Sequence, residues 1–333
     1  QKGLLTASTS FDCLPEADVI IICVPTPLTV NYDPDISYIV SVCEEIGPRL
    51  RPGQLVTLES TTYPGTTEDV ILPLLQESGL KVGEDFFLAF SPERVDPGNK
   101  RYTTKNTSKV VGGMTPACLD VAKTFYEQTI INVVPVSSPS VAEMTKVFEN
   151  TYRSINIALV NEIMLLCDRM GLDVWEVVDA AWTKPFGIQT FYPGPGVGGH
   201  CIPIDPFYLT WRARQFDFHT RFIELAGEIN VQASYDVRES PALKVIEFLW
   251  KEHADVTYHD PYVPHLRAHE PYNWEMEGVS LSSEKLQEAD CVLITTDHSS
   301  FDYDWIVENS KIVVDTRNAT KNVKNHRDKI VKI

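Results

Sequence analysis

Along the chain, β-branched apolar runs alternate with stretches of helical spacing. Ala17-Asp-Val-Ile-Ile-Ile-Cys-Val-Pro-Thr-Pro27 is continuously apolar and ended by prolines. It reads as a strand buried on both faces, as in a parallel sheet. Asp35 to Leu50 has helical spacing, and Gln54-Leu-Val-Thr-Leu-Glu-Ser-Thr61 is a second strand. Pro64-Gly precedes a helix through Leu75. Phe86–Phe90 and Lys109–Gly113 are further strands, Ala117–Tyr126 a helix and Asn132–Pro135 a last short strand. Strands alternating with helices predict an α/β fold with right-handed crossovers, whose ligands sit at the carboxyl ends of strands. Pro25-Thr26, Ser60-Thr61 and Ser91-Pro-Glu93-Arg94 fall at such ends.

The middle of the chain reads as helical. Ser140-Val-Ala-Glu143 has the spacing of a capping box, opening a long helix that ends near Gly171. Lys146 and Asn150, four residues apart, stack on one face of it. Asp173–Ala181 is another helix, and Phe207–Val231 holds one or two more. Beyond Tyr235, a helix from Ser240 and strands at Asp255–Pro261, Glu288–Thr296 and Lys311–Asp315 describe a second α/β unit. Lys321–Lys332 is mildly basic and reads as a solvated terminus. Each α/β unit reads as lacking its opening segment, with a gap expected near 235/236, where Gln232–Glu239 joins helix to helix.

Composition narrows the classes. The 333 residues allow two or three domains, and 43% hydrophobic residues suit globular cores. No apolar run approaches a bilayer span, and Gln1-Lys-Gly-Leu-Leu-Thr does not read as a signal peptide. Seven cysteines form no CxxC pair, and no His completes a zinc spacing, so a reducing cytoplasm and no metal are expected. A net charge of −17 argues against nucleic acid and anionic membranes, although not against an anionic small molecule.

The chemistry centres on Tyr192-Pro-Gly-Pro-Gly-Val-Gly-Gly-His-Cys-Ile-Pro-Ile-Asp205. Its glycines let backbone approach a ligand, and its prolines stiffen the turns around Cys201. Gly194–Gly199 has the letters of the dinucleotide fingerprint, yet it lacks a helix start behind it and is rejected as one. Taken alone, Cys201 fits a nucleophile or an inert buried thiol, and Lys146 fits a solvated surface lysine.

That loop resembles the catalytic loop of the nucleotide-sugar 6-dehydrogenases, the UDP-glucose and UDP-N-acetylhexosamine dehydrogenase family. Val24-Pro-Thr-Pro27, Glu59-Ser-Thr61, Ser91-Pro-Glu-Arg94, Lys146…Asn150-Thr-Tyr-Arg153, Arg238-Glu-Ser, His259-Asp-Pro-Tyr and Asp315-Thr-Arg-Asn follow in order. The resemblance implies two Rossmann-like parallel-sheet domains joined by a central helical region. The NAD-binding part would occupy 1–135, the central dimerisation and catalytic-loop part 136–234, and the UDP-sugar-binding part 236–333.

It also implies NAD-dependent oxidation of a sugar C6 alcohol to a carboxylate in two steps. Cys201 then resembles the nucleophile that forms a thiohemiacetal and a thioester, activated as thiols are by neighbouring cations. Lys146 resembles an oxyanion-stabilising lysine, with Asn150 its hydrogen-bonding partner, and Asp205 an aspartate orienting water or the base. Glu93 resembles the glutamate of thioester hydrolysis, and Thr61 a hydroxyl holding a water. Val24, Pro25, Thr26, Thr61 and Arg238 resemble NAD contacts. Arg94, Lys146, Asn150, Tyr192, Gly194 and Gly198 resemble contacts to the sugar nucleotide, although Arg94 could instead pair with helix carboxylates. Lys184 resembles a basic residue that reaches a partner's site, and a homodimer through the central helices is implied. His200 and Ile204 replace residues usual in UDP-glucose enzymes, and Arg94 and Pro97 depart from the same branch. These features are similar to the UDP-N-acetylhexosamine branch and lean to N-acetylglucosamine over N-acetylmannosamine. An ordinary hydroxyacid dehydrogenase and a non-catalytic nucleotide-sugar-binding protein are the competing classes.

Overall fold

Four successive β-branched residues make Val19–Ile22 a strand, β1, and the rest of the chain builds outward from it. The structure is a computed structural model that describes residues 5–29, 31–95, 99, 101–194, 202, 204–233, 241–268 and 274–332. In chain order follow α1 (Ser37–Ile46), β2 (Leu55–Leu58), a π-helical turn over Thr67–Ile71 that runs into α2 (Leu72–Gln76), β3 (Phe87–Phe90) and β4 (Lys109–Gly113). Next come α3 (Pro116–Glu127), β5 (Val133–Val136), α4 (Pro139–Met170), α5 (Val174–Trp182), α6 (Asp205–Arg214) and α7 (Arg221–Ala233). The chain continues through α8 (Pro241–Lys251), β6 (His265–Ala268), β7 (Trp274–Glu277), α9 (Ser283–Glu288), β8 (Val292–Ile294), α10 (Tyr303–Asn309), β9 (Val313–Asp315) and β10 (Ile330–Lys332). Two units emerge, one of residues 1–152 and 204–224, the other of 153–203 and 225–333.

In the first unit the sheet runs β1-β2-β3-β4-β5. Alternate side chains face opposite ways, so Ile20, Ile22, Val56, Leu58, Leu88 and Phe90 pack on Ile39 and Cys43 of α1 and Leu75 of α2. Leu55, Ala89 and Val111 meet Ala122 and Tyr126 of α3 on the other face. The π turn has a local cause: Pro73 has no N–H to give the preceding turn. One expectation changes here. β4 pairs antiparallel to β3, and among the described residues of the 18-residue connection between Phe90 and Lys109 there is no helix to carry the chain back as a crossover.

The second unit holds the parallel sheet β10-β9-β8, with Ile294, Val307, Val313, Ala319 and Val323 as its core. Two expectations fail in it. Asp255–Pro261 forms no strand, since a single backbone hydrogen bond, Val279 N–H to Tyr258 O at 2.8 Å, makes no ladder. Lys321–Lys332 is not a solvated tail: Ile330–Lys332 pairs with β9, and Lys332 binds Asp173 at 3.0 Å. Its apolar positions Ile330 and Val331 were too few to show a period. The hairpin of β6 and β7 was likewise not foreseen.

The capping box is also corrected. α4 begins at Pro139, and Ser138 Oγ accepts from the Val141 N–H at 3.3 Å. Ser140 is not the cap, and Glu143 serves another segment altogether. The expected gap near 235/236 lies outside the described residues. Among the described residues no helix is long and apolar enough to cross a membrane.

Candidate active site

The carboxyl ends of β1 and β2 are tied together by one hydroxyl. Ser60 Oγ accepts from the Val24 N–H and donates to the Val24 carbonyl, each at 2.8 Å. Two residues on, the Thr26 carbonyl accepts from the phenol of Tyr208, which is fully buried on α6. The Val24-Pro25-Thr26 turn is thus fixed at both ends, while Pro25 itself faces solvent. Tyr208→Phe removes the donor from this partly buried carbonyl and is expected to destabilise the fold by about 1 kcal/mol. A urea titration showing no shift of midpoint would mean that the bond contributes nothing.

α4 and α6 supply the centre of the site. Asn150 Nδ2 donates to Asp205 Oδ2 at 2.5 Å, and both side chains are buried. Asp205 opens α6, where the helix dipole favours a carboxylate. Burial nevertheless dominates and pushes its carboxyl up to about 6, against the opposing pull of the Asn150 hydrogen bond and the Lys146 charge. The structure therefore gathers Lys146, Asn150 and Asp205, 59 positions apart in the chain, around one buried carboxylate.

The remaining positions are placed unevenly. Glu93, on the loop after β3, is exposed, and its Oε1 accepts from the N–H groups of Arg94 and Val95 at 2.7 and 2.6 Å. Arg94 pairs with Glu149 of α4 through two hydrogen bonds, at 2.5 and 3.2 Å, and donates a third to the Ser108 carbonyl at 2.7 Å. The pairing with a helix carboxylate, one of the two readings open for Arg94, is present. Thr61 follows β2 and is half-buried. Lys184 Nζ lies 5.0 Å from the Phe186 ring centroid. Cys201, Gly198, Arg238, His200 and Pro97 lie outside the described residues.

In the second unit, Tyr192 stacks on Trp175 at 5.5 Å and donates to Asp179 at 2.7 Å. Gly194 donates its N–H to Asn161 Oδ1 at 3.1 Å, and a Cβ at this glycine would lie 2.7 Å from Arg317 Nη1. Arg317 is presented by a turn built on Asp315, whose buried carboxylate accepts from the N–H groups of Arg317, Ala319 and Thr320 and from the Thr320 hydroxyl.

Of the residues that build these contacts, Ser60 had been placed with Thr61 at a strand's carboxyl end and Arg317 sat inside a quoted motif, whereas no role was assigned to Tyr208 or Asn161 from the sequence. Among the other thiols, burial pushes Cys23 up and Cys43 up to about 12, the opposite of nucleophile activation.

Residues 1–130 match the NAD binding domain of the UDP-glucose/GDP-mannose dehydrogenase family, 140–232 its central domain and 232–322 its UDP binding domain. A UDP-N-acetyl-D-glucosamine 6-dehydrogenase of Pseudomonas aeruginosa is 43% identical over 216 residues, which are 64% of this chain and 50% of that protein. The chain thus spans about half of that relative's length. An NDP-N-acetyl-D-galactosaminuronic acid dehydrogenase of Ralstonia solanacearum is 34% identical over 95% of this chain and 81% of its own. The solved structure of a UDP-D-ManNAc dehydrogenase from Pyrococcus horikoshii superposes with a TM-score of 0.80 at 30% identity, covering 95% of this chain and 80% of that one.

Proposed function

Since the chain belongs to the UDP-glucose/GDP-mannose dehydrogenase family, we propose that it oxidises the C6 alcohol of a UDP-N-acetylhexosamine, UDP-N-acetylglucosamine foremost, to the uronic acid with NAD. The observation that carries this reading is the buried Asp205 carboxylate, bonded by Asn150 and within the field of Lys146, four residues after Cys201.

The residues present fit a dinucleotide. Val24, Pro25 and Thr26 form a turn rigid at both ends at the carboxyl edge of the sheet, and Thr61 lies beyond the neighbouring strand. With Arg238, these would hold NAD, which when bound accepts the hydride of each oxidation. The first oxidation turns the alcohol into an aldehyde. The Cys201 sulfur adds to that carbonyl and its proton passes to the oxygen, giving a thiohemiacetal. The second oxidation leaves a thioester, and water then cleaves the C–S bond, releasing the acid and restoring the thiol. Lys146 and Asn150 stabilise the oxyanions, because a cation and an amide N–H are favoured wherever negative charge develops on oxygen. Asp205, poised near pH 6, can hold or release a proton at its buried oxygen. Glu93 and Thr61 orient the hydrolytic water. Gly194, Gly198 and Tyr192 follow the sugar nucleotide, and Arg94, locked by Glu149, shapes the site from the side.

A homodimer is part of this reading. Phe148, Leu159, Leu166 and Met170 of α4 are exposed at spacings of eleven, seven and four, which place them on one stripe of the helix. Such a stripe is what a second copy would cover.

The test counts NADH formed per sugar nucleotide consumed across a panel of UDP-sugars. Two NADH and a uronic acid are expected, fastest with UDP-N-acetylglucosamine. One NADH with an aldehyde or ketone product would refute the mechanism and favour an ordinary dehydrogenase. A preference for UDP-N-acetylmannosamine would move the substrate to the branch of the Pyrococcus neighbour. Binding without NADH would favour a non-catalytic sugar-nucleotide protein.

A further inference from the structure

We propose that Glu143 is a positioning residue of the active site: its buried carboxylate clamps the turn after Thr61 to the helix that carries Lys146 and Asn150. This rests on the roles proposed above for Thr61 and Lys146.

Glu143 lies in the first turns of α4, three residues before Lys146, and is completely buried. Its Oε2 accepts from the Gly65 N–H at 2.5 Å, and its Oε1 accepts from the Thr67 N–H at 2.9 Å and the Thr67 hydroxyl at 2.6 Å. Three donors converge on one carboxylate from a segment 76 to 78 positions away in the chain. The turn can offer those donors only in one conformation. Gly65 sits at φ +101°, where a side chain would be strained, and a Cβ there would strike Arg212 Nη2 and Asp69 Oδ2.

The same turn is gripped from α6. Arg212 pairs with Asp69 at 2.6 Å, and Trp211 packs on Tyr63 at 4.8 Å between ring centroids. α6 begins with Asp205. Residues 61–69 therefore connect the helix of Lys146 and Asn150 to the helix of Asp205, and Glu143 holds one side of that connection.

A neutral side chain would hold a turn at lower cost, because a buried carboxylate is stable only when fully bonded. What the carboxylate adds is a state in which both oxygens accept. Protonation turns one oxygen into a donor, which must then give up accepting from the Gly65 N–H or from the Thr67 hydroxyl, and this loosens the clamp. Burial pushes this carboxyl up to about 7, while the Thr67 and Gly65 hydrogen bonds oppose the rise. The titratable groups beside it are Tyr63 from the turn and Glu68 from the π turn, and Asp69 with its partner Arg212 flanks Gly65. No histidine is among them, and the charge of Glu68 drives the carboxyl further up.

The sign follows. The clamp is formed when Glu143 is ionised, so kcat should rise with pH through about 7. In Glu143→Gln, kcat with the UDP-sugar and NAD is expected to fall about tenfold at pH 8, with KM values changed less than about threefold and the limb near pH 7 gone. Thr67→Val keeps the carboxylate but removes one of the bonds that favour its ionised form, so the limb should move to higher pH. That variant also decides the matter if Glu143→Gln does not fold. A soluble Glu143→Gln enzyme with the wild-type pH profile and kcat would overturn the proposal, as would a Thr67→Val limb that stays in place. If the wild-type enzyme oxidises no UDP-sugar, the reading of function fails instead, and the two failures are distinct.

Discussion

Cys201→Ala is expected to stop uronic acid formation almost completely, lowering its rate at least about a thousandfold. The thiol is the one group proposed to retain the aldehyde covalently, and an alanine methyl cannot form a thioester. The first oxidation needs no covalent bond to the enzyme, so an aldehyde should still form slowly. NADH per sugar consumed should then drop from two to one, and a hydroxylamine trap should capture the aldehyde as its oxime. A far-UV circular dichroism spectrum matching the wild type would show that the loss is chemical. The proposed nucleophile would be abandoned if the variant still made acid at the normal rate. Cys43 could not substitute for it, because complete burial disfavours its thiolate.

Asp205→Asn should separate activity from stability. The variant is expected to lose about a hundredfold or more in kcat, the usual scale for removing a group that moves or orients a proton. Its stability should move the other way above pH 7. The Asp205 carboxyl is raised by burial to about 6, above its ordinary value of 3.8, so the folded state favours the protonated form. That contribution is fully present below about pH 4 and is lost as pH rises through 6. Between those limits it amounts to something on the order of 3 kcal/mol, at 1.36 kcal/mol per unit. Asn cannot ionise, yet its Oδ1 can still accept from Asn150 Nδ2. Urea unfolding at pH 5 and pH 8 reads this directly. The variant should match the wild type at the lower pH more closely than at the higher, where it should be the more stable. Equal denaturation midpoints at both pH values would show that Asp205 is not held protonated by its surroundings.

Elements with strong local patterns were legible from the residues alone. The apolar run around Ile20–Ile22 is a strand, and the long helix read as ending near Gly171 is α4, which closes at Met170. The stacking of Lys146 over Asn150 followed from helix geometry in the same way. The seven quoted motifs, in order, were enough to indicate the family.

Failures came where a local pattern was satisfied by a distant partner. Ser140-Val-Ala-Glu143 has the letters of a capping box, yet Glu143 reaches Gly65 and Thr67, and Ser138 caps the helix instead. Asp255–Pro261 has the composition of a strand but lacks a ladder partner. Ile330–Lys332 is too short to show a period, although Ile330 and Val331 favour a strand, and β9 lies beside it. For Arg94 the sequence left two partners open, and the packed chain places Glu149 beside it.

By itself, then, the sequence determined the alternation of strands and helices, the order of motifs and the kinds of side chain available to the proposed chemistry. Only tertiary structure decided that Asn150 meets Asp205, that Tyr208 holds the Thr26 carbonyl and that Glu143 binds the turn after Thr61. The reason is that periodicity records burial against solvent, a property each residue has locally. Hydrogen bonds between segments 55 to 182 positions apart depend on distances that only the packed chain fixes.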